Sequence, residues 1–263
     1  DDKIFLNIEE EVIIVSNLNY QEVENTLKNW LINKVKDAGA KGAVVGLSGG
    51  IDSAVTAALC KKAFNENTLG VIIPCYSKEE DKEDALLVAE TFDINYKVKD
   101  LSDVYDSFVN TLIDDDLANE SKDMALANIK PRLRMTALYY YAAKNNFLVV
   151  GTDNWSEFKV GYFTKYGDGG VDIAPLGRLV KTEVKKLAEH LGVPKKIINK
   201  KPSAGLWKGQ TDEKEMGVSY EELDHYILTG EAEREIKERI EELATKNSHK
   251  TEAIPIPPRQ SLV

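Results

Sequence analysis

The chain has 263 residues, 43% of them hydrophobic, and a formal net charge of −10 at pH 7. Its length and apolar content allow a sizeable core, while its acidic balance argues against broad, sequence-independent nucleic-acid binding, which needs a basic surface. Cys60 and Cys75 belong to no CxxC or Cys/His cluster, so neither a disulfide framework nor a structural zinc site is expected. No apolar run is long enough to span a bilayer, and we expect a reducing, cytoplasmic setting without membrane association.

Helical and strand patterns alternate along the first half of the chain. The strand patterns cover residues 43–47, 69–74, 96–98 and 147–150. The helical patterns cover residues 20–37, 52–64, 79–92, 101–113 and 118–145, with Pro131 expected to kink or restart the last helix. This alternation predicts an α/β fold, a doubly wound parallel sheet flanked by helices. Binding residues in such a fold gather beyond the carboxyl ends of the strands, here after Leu47 and after Val150.

Two long segments of weak periodicity mark the second half. Residues 155–179 and 200–218 contain several glycines, and we predict that both are ordered loops. The predicted helices cover residues 180–191, 220–229 and 231–246, and the proline-rich end is expected to be extended. Loops of this length are uncommon in a compact domain, which makes them candidate lids or binding loops. The chain has no internal repeat, and we predict a single domain over residues 1–263.

A glycine-rich turn between the first strand and the second helix carries the sharpest chemical signal. Its sequence is Gly46-Leu47-Ser48-Gly49-Gly50-Ile51-Asp52-Ser53. The paired glycines let the backbone approach a ligand, and the free N–H groups at the helix start point at an anion. Asp52 suits a phosphate site when a divalent cation lies between carboxylate and phosphate. The alternative is an ordinary turn in which Asp52 or Ser53 caps the helix, and for a generic G-G-x-D-S string both interpretations are about equally favoured.

The whole string resembles the SGGxDS loop of the N-type ATP pyrophosphatases, which bind ATP and release pyrophosphate. It is not a Walker A loop, because no Gly-Lys-Ser/Thr follows. Further motifs lie at Asn128–Arg134, Gly151–Glu157, Gly161–Asp172, Lys181–Val184 and Lys200–Trp207. In this order and spacing they resemble the ammonia-dependent NAD⁺ synthetases over roughly residues 20–250. The resemblance implies an adenine nucleotide α-hydrolase-like, Rossmann-like fold.

The resemblance also implies a role for each matching residue. The implied ATP-binding residues are Gly46, Leu47, Ser48, Gly49, Gly50, Ile51, Asp52, Ser53, Thr152, Lys181 and Ser203, the last being Thr in several relatives. The implied Mg²⁺ ligands are Asp52 and Glu157. The implied contacts of the dinucleotide substrate are Arg132, Lys165, Asp172, His249 and Lys250.

Each of these residues also has an ordinary structural interpretation. Lysines and arginines are typical of solvated surfaces, a carboxylate at a helix start acts as a cap, and aspartates beside glycines form turns. When each residue is considered alone, an ordinary interpretation of this kind applies to Lys130, Arg132, Arg134, Glu157, Lys165, Asp168, Asp172, Lys181 with Glu183, and His249. Their shared family order favours the functional interpretation.

The implied reaction amidates nicotinic acid adenine dinucleotide (deamido-NAD). Its carboxylate attacks the α-phosphorus of ATP, pyrophosphate leaves, and ammonia attacks the acyl-adenylate to give NAD⁺ and AMP. No protein nucleophile is needed, so positioning and charge neutralisation by Mg²⁺, lysine and loop N–H groups are expected to carry catalysis. A carboxylate is expected to take a proton from ammonium. Asp172 is the first candidate and Asp168 the second, and the sequence does not decide between them.

Ammonia is the expected nitrogen donor, because the phosphate loop begins near residue 46 and leaves no room for the amidase domain of glutamine-dependent relatives. A separate glutaminase partner stays an alternative. A tRNA-modifying pyrophosphatase is disfavoured by the net charge of −10 and the absence of a cysteine pair. A non-catalytic nucleotide sensor would be expected to lack Asp52 or Glu157, and both are present.

A homodimer is expected, mainly from the resemblance. The run Tyr139–Tyr141 with Leu138 adds more apolar surface than one helix face needs. In such a dimer, Arg132 and the pair His249-Lys250 would approach one ligand from different subunits.

Overall fold

The computed structural model describes residues 18–113, 123–203, 205 and 210–259. Its first helix, α1, runs from Tyr20 to Asp37, as predicted. Asn19 caps this helix, because its side chain accepts hydrogen bonds from the N–H groups of Gln21 and Glu22. Leu31 on its inner face is fully buried and anchors α1 to the core.

Four parallel strands form one sheet in the order β3-β2-β1-β4. They are β1 (Ala43–Gly46), β2 (Thr68–Ile72), β3 (Asn95–Val98) and β4 (Leu148–Val150). In this register Val45 lies opposite both Gly70 and Val150. The strand order reverses between β1 and β4, so the loops after these two strands diverge and leave a crevice at the carboxyl edge.

Helices cover both faces of the sheet. The helices after α1 are α2 (Ile51–Phe64), α3 (Glu79–Thr91), α4 (Ser102–Leu112), α5 (Met124–Ala127), α6 (Ile129–Asn145), α7 (Trp155–Val160), α8 (Lys181–Leu191), α9 (Lys195–Ile198), α10 (Asp212–Met216), α11 (Tyr220–Thr229) and α12 (Arg234–Asn247). On one face, Val45 and Val150 join the main core with residues of α2. On the other, Val44 and Val149 cluster with Ala142 of α6. The predicted doubly wound α/β fold is confirmed.

None of the helices in the described ranges is both long and apolar enough to cross a membrane.

The helices α7, α10, α11 and α12 share a separate apolar cluster. Val160, Met216, Leu223 and Ile240 from these helices are each at most 1% exposed. Gly161 ends α7 in the left-handed conformation, and a Cβ added there would lie 2.4 Å from Cβ of Asn247. A glycine at this position therefore allows the close approach of α7 and α12.

Both predicted loops contain a helix, so that part of the prediction is wrong. The segment 155–179 includes α7, and the segment 200–218 includes α10, with residues 204 and 206–209 outside the described part. These helices have only six and five residues, too few for a periodic apolar pattern. A capping box formed by Asn154 and Glu157 starts α7.

The helix predicted over residues 118–145 is interrupted at Asn128 rather than at Pro131. The helix α5 ends before Asn128 and α6 begins directly after it, while residues 118–122 lie outside the described part. Pro131 lies in the first turn of α6, where a missing N–H removes no intrahelical hydrogen bond. The proline is therefore compatible with a regular helix start.

Candidate active site

The crevice between β1 and β4 opens into a cleft of about 800 Å³. The predicted site residues that line this cleft are Gly46, Leu47, Ser48, Gly50, Ile51, Asp52, Ser53, Arg132, Thr152, Glu157, Lys165, Asp168, Lys181, Ser203, His249 and Lys250. Gly49 and Asp172 are the two predicted site residues outside the lining. A concave site of this volume suits a small-molecule ligand.

The turn after β1 is shaped by hydrogen bonds among its own residues. Ser53 Oγ accepts from the N–H of Ser48 at 3.3 Å and donates to the carbonyl of Gly50 at 2.9 Å. The N–H of Gly50 donates to Ser48 Oγ at 3.2 Å. Gly50 is the N-cap of α2 and has no side chain that competes for the N–H groups of the first turn. The turn is therefore suited to bind phosphate oxygens.

The alternative in which Asp52 or Ser53 caps α2 is wrong. The helix starts at Ile51, so both residues lie inside its first turn. The carboxylate of Asp52 makes contacts across the cleft instead: Oδ1 accepts from Asn154 Nδ2 at 2.9 Å, and Oδ2 lies 2.6 Å from Lys181 Nζ. Asp52 thus connects the loop after β1 with the loop after β4.

Two carboxylates converge on the ammonium group of Lys181. Its Nζ lies 2.6 Å from Asp52 Oδ2 and 3.2 Å from Glu157 Oε1. The Tyr220 hydroxyl donates to the same Glu157 oxygen at 3.2 Å, and the Tyr220 ring lies 4.8 Å from Lys181 Nζ. Lys181 is only 8% exposed, so its interpretation as half of a surface charge pair with Glu183 is wrong.

Burial and charge both shift the pKa values of this cluster. Burial raises the pKa of Glu157 to about 7, with Lys181 opposing that shift and Asp52 reinforcing it. Burial disfavours the charged form of Lys181, but Asp52 and Glu157 outweigh it and raise the pKa of the lysine. When all three groups are ionised, one net negative charge remains, which can accept a further cation.

The donor set fits magnesium. Asp52 and Glu157 point at one position, and Mg²⁺ is usually held by one or two carboxylates together with substrate phosphates and water. Across the described ranges, no group of three or more His, Cys, Asp and Glu side chains is placed to hold a metal alone. The residues therefore fit an ion whose coordination a bound phosphate completes.

The structure separates the two aspartates expected to handle the proton of ammonium. Asp168 lines the cleft, and its Oδ1 accepts from the N–H of Thr164 at 3.0 Å. Its surface is open to the cleft, yet desolvation by the surrounding protein raises its pKa. The carboxylate of Asp172 accepts from Tyr139 OH at 3.0 Å and from the N–H of Val149 at 2.8 Å. Asp172 thus holds the end of β4, and Asp168 is the better placed candidate.

The predicted substrate-binding cations come together within one chain. Both Nε and Nη2 of Arg132 donate to the carbonyl of Lys165 at 3.4 Å, and Lys165 Nζ donates to the carbonyl of His249. Lys250 Nζ donates to the carbonyl of Gly161 at 2.7 Å. A single chain suffices to bring these residues to one cleft, so the hypothesis that they meet only across subunits loses its support.

The cations of the motif Asn128–Arg134 are not a uniform solvated face. Arg134 Nε donates to the carbonyl of Ile73 at 3.0 Å, and its Nη2 donates to Ser77 Oγ at 3.2 Å. Arg134 therefore joins α6 to the segment after β2, while Arg132 reaches the loop that follows α7.

Two hydroxyls predicted to contact ATP also line the cleft. Thr152 lies after β4, separated from its last residue Val150 by Gly151. Ser203 Oγ donates to the carbonyl of Gln210 at 2.9 Å and accepts from the N–H of Gly205 at 3.2 Å. The hydroxyl of Ser203 thus shapes its own loop as well as facing the cleft.

Sequence reasoning missed three polar residues of the site. Asn154 binds Asp52, and Tyr220 binds Glu157. Asp153 is 6% exposed, and its Oδ2 has no hydrogen-bond partner within the described part of the chain. Asp153 and Asn154 lie at the carboxyl end of β4, a position that could have singled them out. Tyr220 carries no local signal, because its role depends on a helix packed from elsewhere in the chain.

The sequence of this chain is similar to those of known proteins. Residues 23–254 match the family described as NAD synthase. A protein of Carboxydothermus hydrogenoformans named NH(3)-dependent NAD(+) synthetase is 51% identical over 240 residues, which cover 91% of this chain and 98% of that protein.

Two solved structures are also similar. An NMN synthetase from Francisella tularensis superposes with a TM-score of 0.86 and 39% identity, covering 92% of this chain and 99% of the other. An NH3-dependent NAD synthetase from Campylobacter jejuni, in complex with nitrate ion, superposes with a TM-score of 0.75 and 30% sequence identity. The match covers 92% of this chain and 100% of the other. Because the family match takes in the phosphate loop, the paired carboxylates and the cations of the cleft, the chain belongs to the NAD synthase family.

Proposed function

We propose that this chain catalyses the ATP-dependent amidation of deamido-NAD with ammonia, the last step of NAD biosynthesis. The products are NAD⁺, AMP and pyrophosphate, and the intermediate is an acyl-adenylate. Family membership supports the reaction. The observation that carries the proposal is the cleft itself, where the phosphate loop, two carboxylates on Lys181, and a group of cations face one another.

The phosphate loop is proposed to bind the ATP phosphates through the first-turn N–H groups of α2 and the hydroxyls of Ser48 and Ser53. Asp52 and Glu157 are proposed to hold Mg²⁺, which when bound would neutralise charge on the departing pyrophosphate. Lys181 already lies between these carboxylates, so it is within the same site as the phosphates. Thr152 and Ser203 complete the proposed ATP contacts from the cleft wall.

The substrate carboxylate and ammonia are themselves the nucleophiles, so the protein contributes positioning and charge. Arg132, Lys165 and His249 are proposed to bind the anionic dinucleotide, since they meet on one side of the cleft. Asp168 is proposed to hold ammonium and to accept its proton, because it lines the cleft and desolvation by the surrounding protein raises its pKa.

The test is to mix the protein with Mg·ATP, deamido-NAD and ammonium chloride and to follow NAD⁺, AMP and pyrophosphate. We expect the three products in equal amounts. Stoichiometric ADP would contradict the pyrophosphate-releasing mechanism. Replacing ammonium with glutamine should stop the reaction, and turnover with glutamine alone would show that free ammonium is not the required nitrogen source.

A second candidate keeps the chemistry and changes the substrate. The similarity to the Francisella tularensis protein, named an NMN synthetase, favours a test with the mononucleotide of nicotinic acid. The higher identity to the Carboxydothermus hydrogenoformans protein favours the dinucleotide. The ratio of kcat/KM for the two substrates decides between them, and we expect it to favour the dinucleotide.

We further propose a homodimer, supported by an apolar stripe on α4. Val104, Phe108 and Leu112 are 49%, 47% and 57% exposed, and their spacing of four residues places them on one helix face. An exposed stripe of this kind is typical of a surface that another chain covers. Of the earlier interface candidates, Leu138, Tyr139 and Tyr141 pack against the cluster around α6, whereas Tyr140 is 59% exposed and stays a candidate.

We also propose that residues 1–263 form one domain and that the protein acts in the cytoplasm. The helix α8 packs against both α2 and α11, which links the main core to the C-terminal helical cluster. Cys60 and Cys75 are free and buried, which suits a reducing compartment.

A further inference from the structure

Asp84 is a fully buried carboxylate outside the cleft, on the helix α3. Its Oδ2 lies 2.6 Å from Lys200 Nζ, and its Oδ1 lies 2.7 Å from Lys196 Nζ. The contact with Lys196 is an ion pair in which Oδ1 accepts no hydrogen bond among the described residues, whereas Oδ2 accepts one from Lys200 Nζ. Lys200 is therefore the better bonded partner of a charge that cannot be left unpaired in the interior.

Lys200 connects Asp84 to the back of the phosphate loop. Its Nζ lies 2.8 Å from Asp81 Oδ1 and donates to the carbonyl of Gly49 at 3.4 Å. The helix α3 also packs directly on Gly49: a Cβ added there would lie 2.4 Å from the carbonyl oxygen of Asp81 and 2.9 Å from Cβ of Asp84. The loop thus rests on the two aspartates and on the lysine that they hold.

The peptide bond between Gly49 and Gly50 links the contact with Lys200 to the orientation of an N–H group at the cleft. In a planar trans peptide the carbonyl and the N–H point in opposite directions. When Lys200 holds the Gly49 carbonyl, the N–H of Gly50 is directed away from Lys200, toward Ser48 Oγ at 3.2 Å. Gly50 and Ser48 line the cleft whereas Gly49 does not, so the fixed N–H lies on the ligand side.

Charge balance supports a positioning role rather than direct phosphate binding by Lys200. Lys196 and Lys200 are matched by Asp81 and Asp84, so the group is neutral as a whole. Burial opposes the ionisation of Asp84, but the two lysines outweigh it and lower its pKa. Lys200 and Asp81 also line the cleft, but the charge of Lys200 is already balanced by Asp81 and by the buried Asp84.

We propose that Asp84 is a positioning residue for the phosphate loop, which acts by holding Lys200 against the Gly49 carbonyl and so fixes the N–H of Gly50, together with the Ser48 hydroxyl that it binds, on the side of the loop that faces ATP. The inference rests on the proposed function, because it takes ATP as the ligand of this loop.

The test compares the binding of ATP and AMP by calorimetry in the wild-type chain and in Asp84→Asn, Lys200→Met and Lys196→Met. We expect Asp84→Asn and Lys200→Met to weaken ATP binding about tenfold or more, the loss typical of a charge-assisted hydrogen bond. AMP binding should be retained, since AMP lacks the β- and γ-phosphates. Lys196→Met is the matched control, because Lys196 contacts Asp84 without touching the loop, and it should bind ATP as the wild type does. In turnover, KM for ATP should rise more than kcat falls.

Three outcomes overturn the inference. Weak ATP binding by Lys200→Met with normal binding by Asp84→Asn would make Lys200 a direct phosphate ligand. Equal binding by all variants would remove any role for the pair, and equal loss of ATP and AMP binding would indicate general damage to the fold. If Asp84→Asn does not fold, Asp81→Asn is tested in its place, because it also removes an aspartate that holds Lys200. Unchanged ATP binding by Asp81→Asn together with weak binding by Lys200→Met would make Lys200 a direct phosphate ligand. Failure of the wild-type chain to bind ATP would instead overturn the proposed function.

Discussion

Lys181 is the cation that pairs with both carboxylates of the cleft, Asp52 and Glu157. Two carboxylates from separate helices, α2 and α7, would repel each other in a partly buried site, and the lysine between them removes that repulsion. The motifs predicted Asp52 as a ligand of Mg²⁺ and Lys181 as a contact of ATP. Their contact joins positions 129 residues apart, and no local pattern encodes a pairing of that range. The motifs thus singled out both residues as candidates, whereas their contact with each other required the folded chain.

Asp52→Asn should reduce turnover at least about 100-fold, as expected when a charged group that orders the reacting phosphates is lost. The thermal midpoint should change little, since Asp52 is partly exposed in the cleft and caps no helix. Glu157→Gln should reduce turnover to a similar extent, and glutamine can keep the capping-box bond to the N–H of Asn154 at the start of α7. The matched control is Asp37→Asn, an exposed aspartate at the end of α1. A near-normal rate for Asp52→Asn at saturating Mg²⁺ would remove the metal role.

Asp168→Asn and Asp172→Asn should separate catalysis from structure. Asp168→Asn should lower the rate about 100-fold or more at subsaturating ammonium, the scale of general acid–base catalysis. Asp172→Asn should lower the free energy of unfolding by about 1–2 kcal/mol, because the bond from the Val149 N–H loses its charged acceptor. Initial rates against ammonium concentration, and chemical unfolding, measure the two effects. An increase in the KM for ammonia in Asp172→Asn alone would restore the original order of the candidates.

At the scale of elements, long periodic segments were predictable and short ones were not. The bounds of α1 follow from apolar spacing, because tertiary packing of a regular pattern decides them. The four short strands lie within two residues of their predicted bounds, although all four residues of β3 are exposed. The helix α7 was predicted as loop, although Asn154 and Glu157 at a spacing of three carried a capping-box signal. Its six residues are held by the cluster with α11 and α12, a contact that no local sequence pattern shows.

Glu24 is expected to stabilise the packing of three helices, and this stabilisation should depend on pH. It lies on α1, 2.9 Å from Lys62 Nζ of α2 and 2.9 Å from His190 Nε2 of α8. Burial would raise the pKa of Glu24, but the hydrogen bonds from Lys62 and His190 outweigh it and lower the pKa. The stabilisation is therefore complete above the ordinary pKa of glutamate, about 4.3, and is lost as the pH falls through the lower folded-state value.

Glu24→Gln should thus cost on the order of 1 kcal/mol at pH 7, the scale of partly exposed ion pairs, and the difference from wild type should shrink on acidification below about pH 4. Urea unfolding from pH 3 to pH 7 measures it. Glu189→Gln, an exposed position on α8, should show no comparable difference. A constant difference across this range would mean that Glu24 acts through packing rather than through its charge.

At the scale of the whole molecule, the reversal of strand order between β1 and β4 explains why distant motifs meet. The phosphate loop follows β1, the residues around Glu157 follow β4, and α6 carries Arg132 to the same edge. The alternation of strands and helices made this edge predictable. The arrangement of Arg132, Lys165 and His249 within one chain was not predictable, because it depends on how the C-terminal helices return to the sheet.

Phe108→Glu should weaken the proposed dimer through the exposed stripe on α4. Burying an unpaired carboxylate in an apolar interface is unfavourable, so the variant should be monomeric at concentrations where the wild type is dimeric. Light scattering over a dilution series measures this. Tyr96→Glu replaces an exposed aromatic on β3 and should leave the assembly unchanged. A wild-type monomer at working concentration would remove the proposal.

Complementation tests whether the cations of one cleft come from one chain. Arg132→Ala and His249→Ala chains with different affinity tags can be co-expressed and the mixed dimer purified by both tags. Arg132 contacts the carbonyl of Lys165, and Lys165 contacts the carbonyl of His249, all within one chain. Each subunit of the mixed dimer therefore carries one defective cleft, and we expect activity no higher than that of either parent variant. If the two residues served one site from different subunits, one of the two symmetry-related sites would be intact, and about half of the wild-type activity would return. The matching control is a mixed dimer of Arg132→Ala with wild type, which should keep about half of the activity because one chain retains a complete cleft.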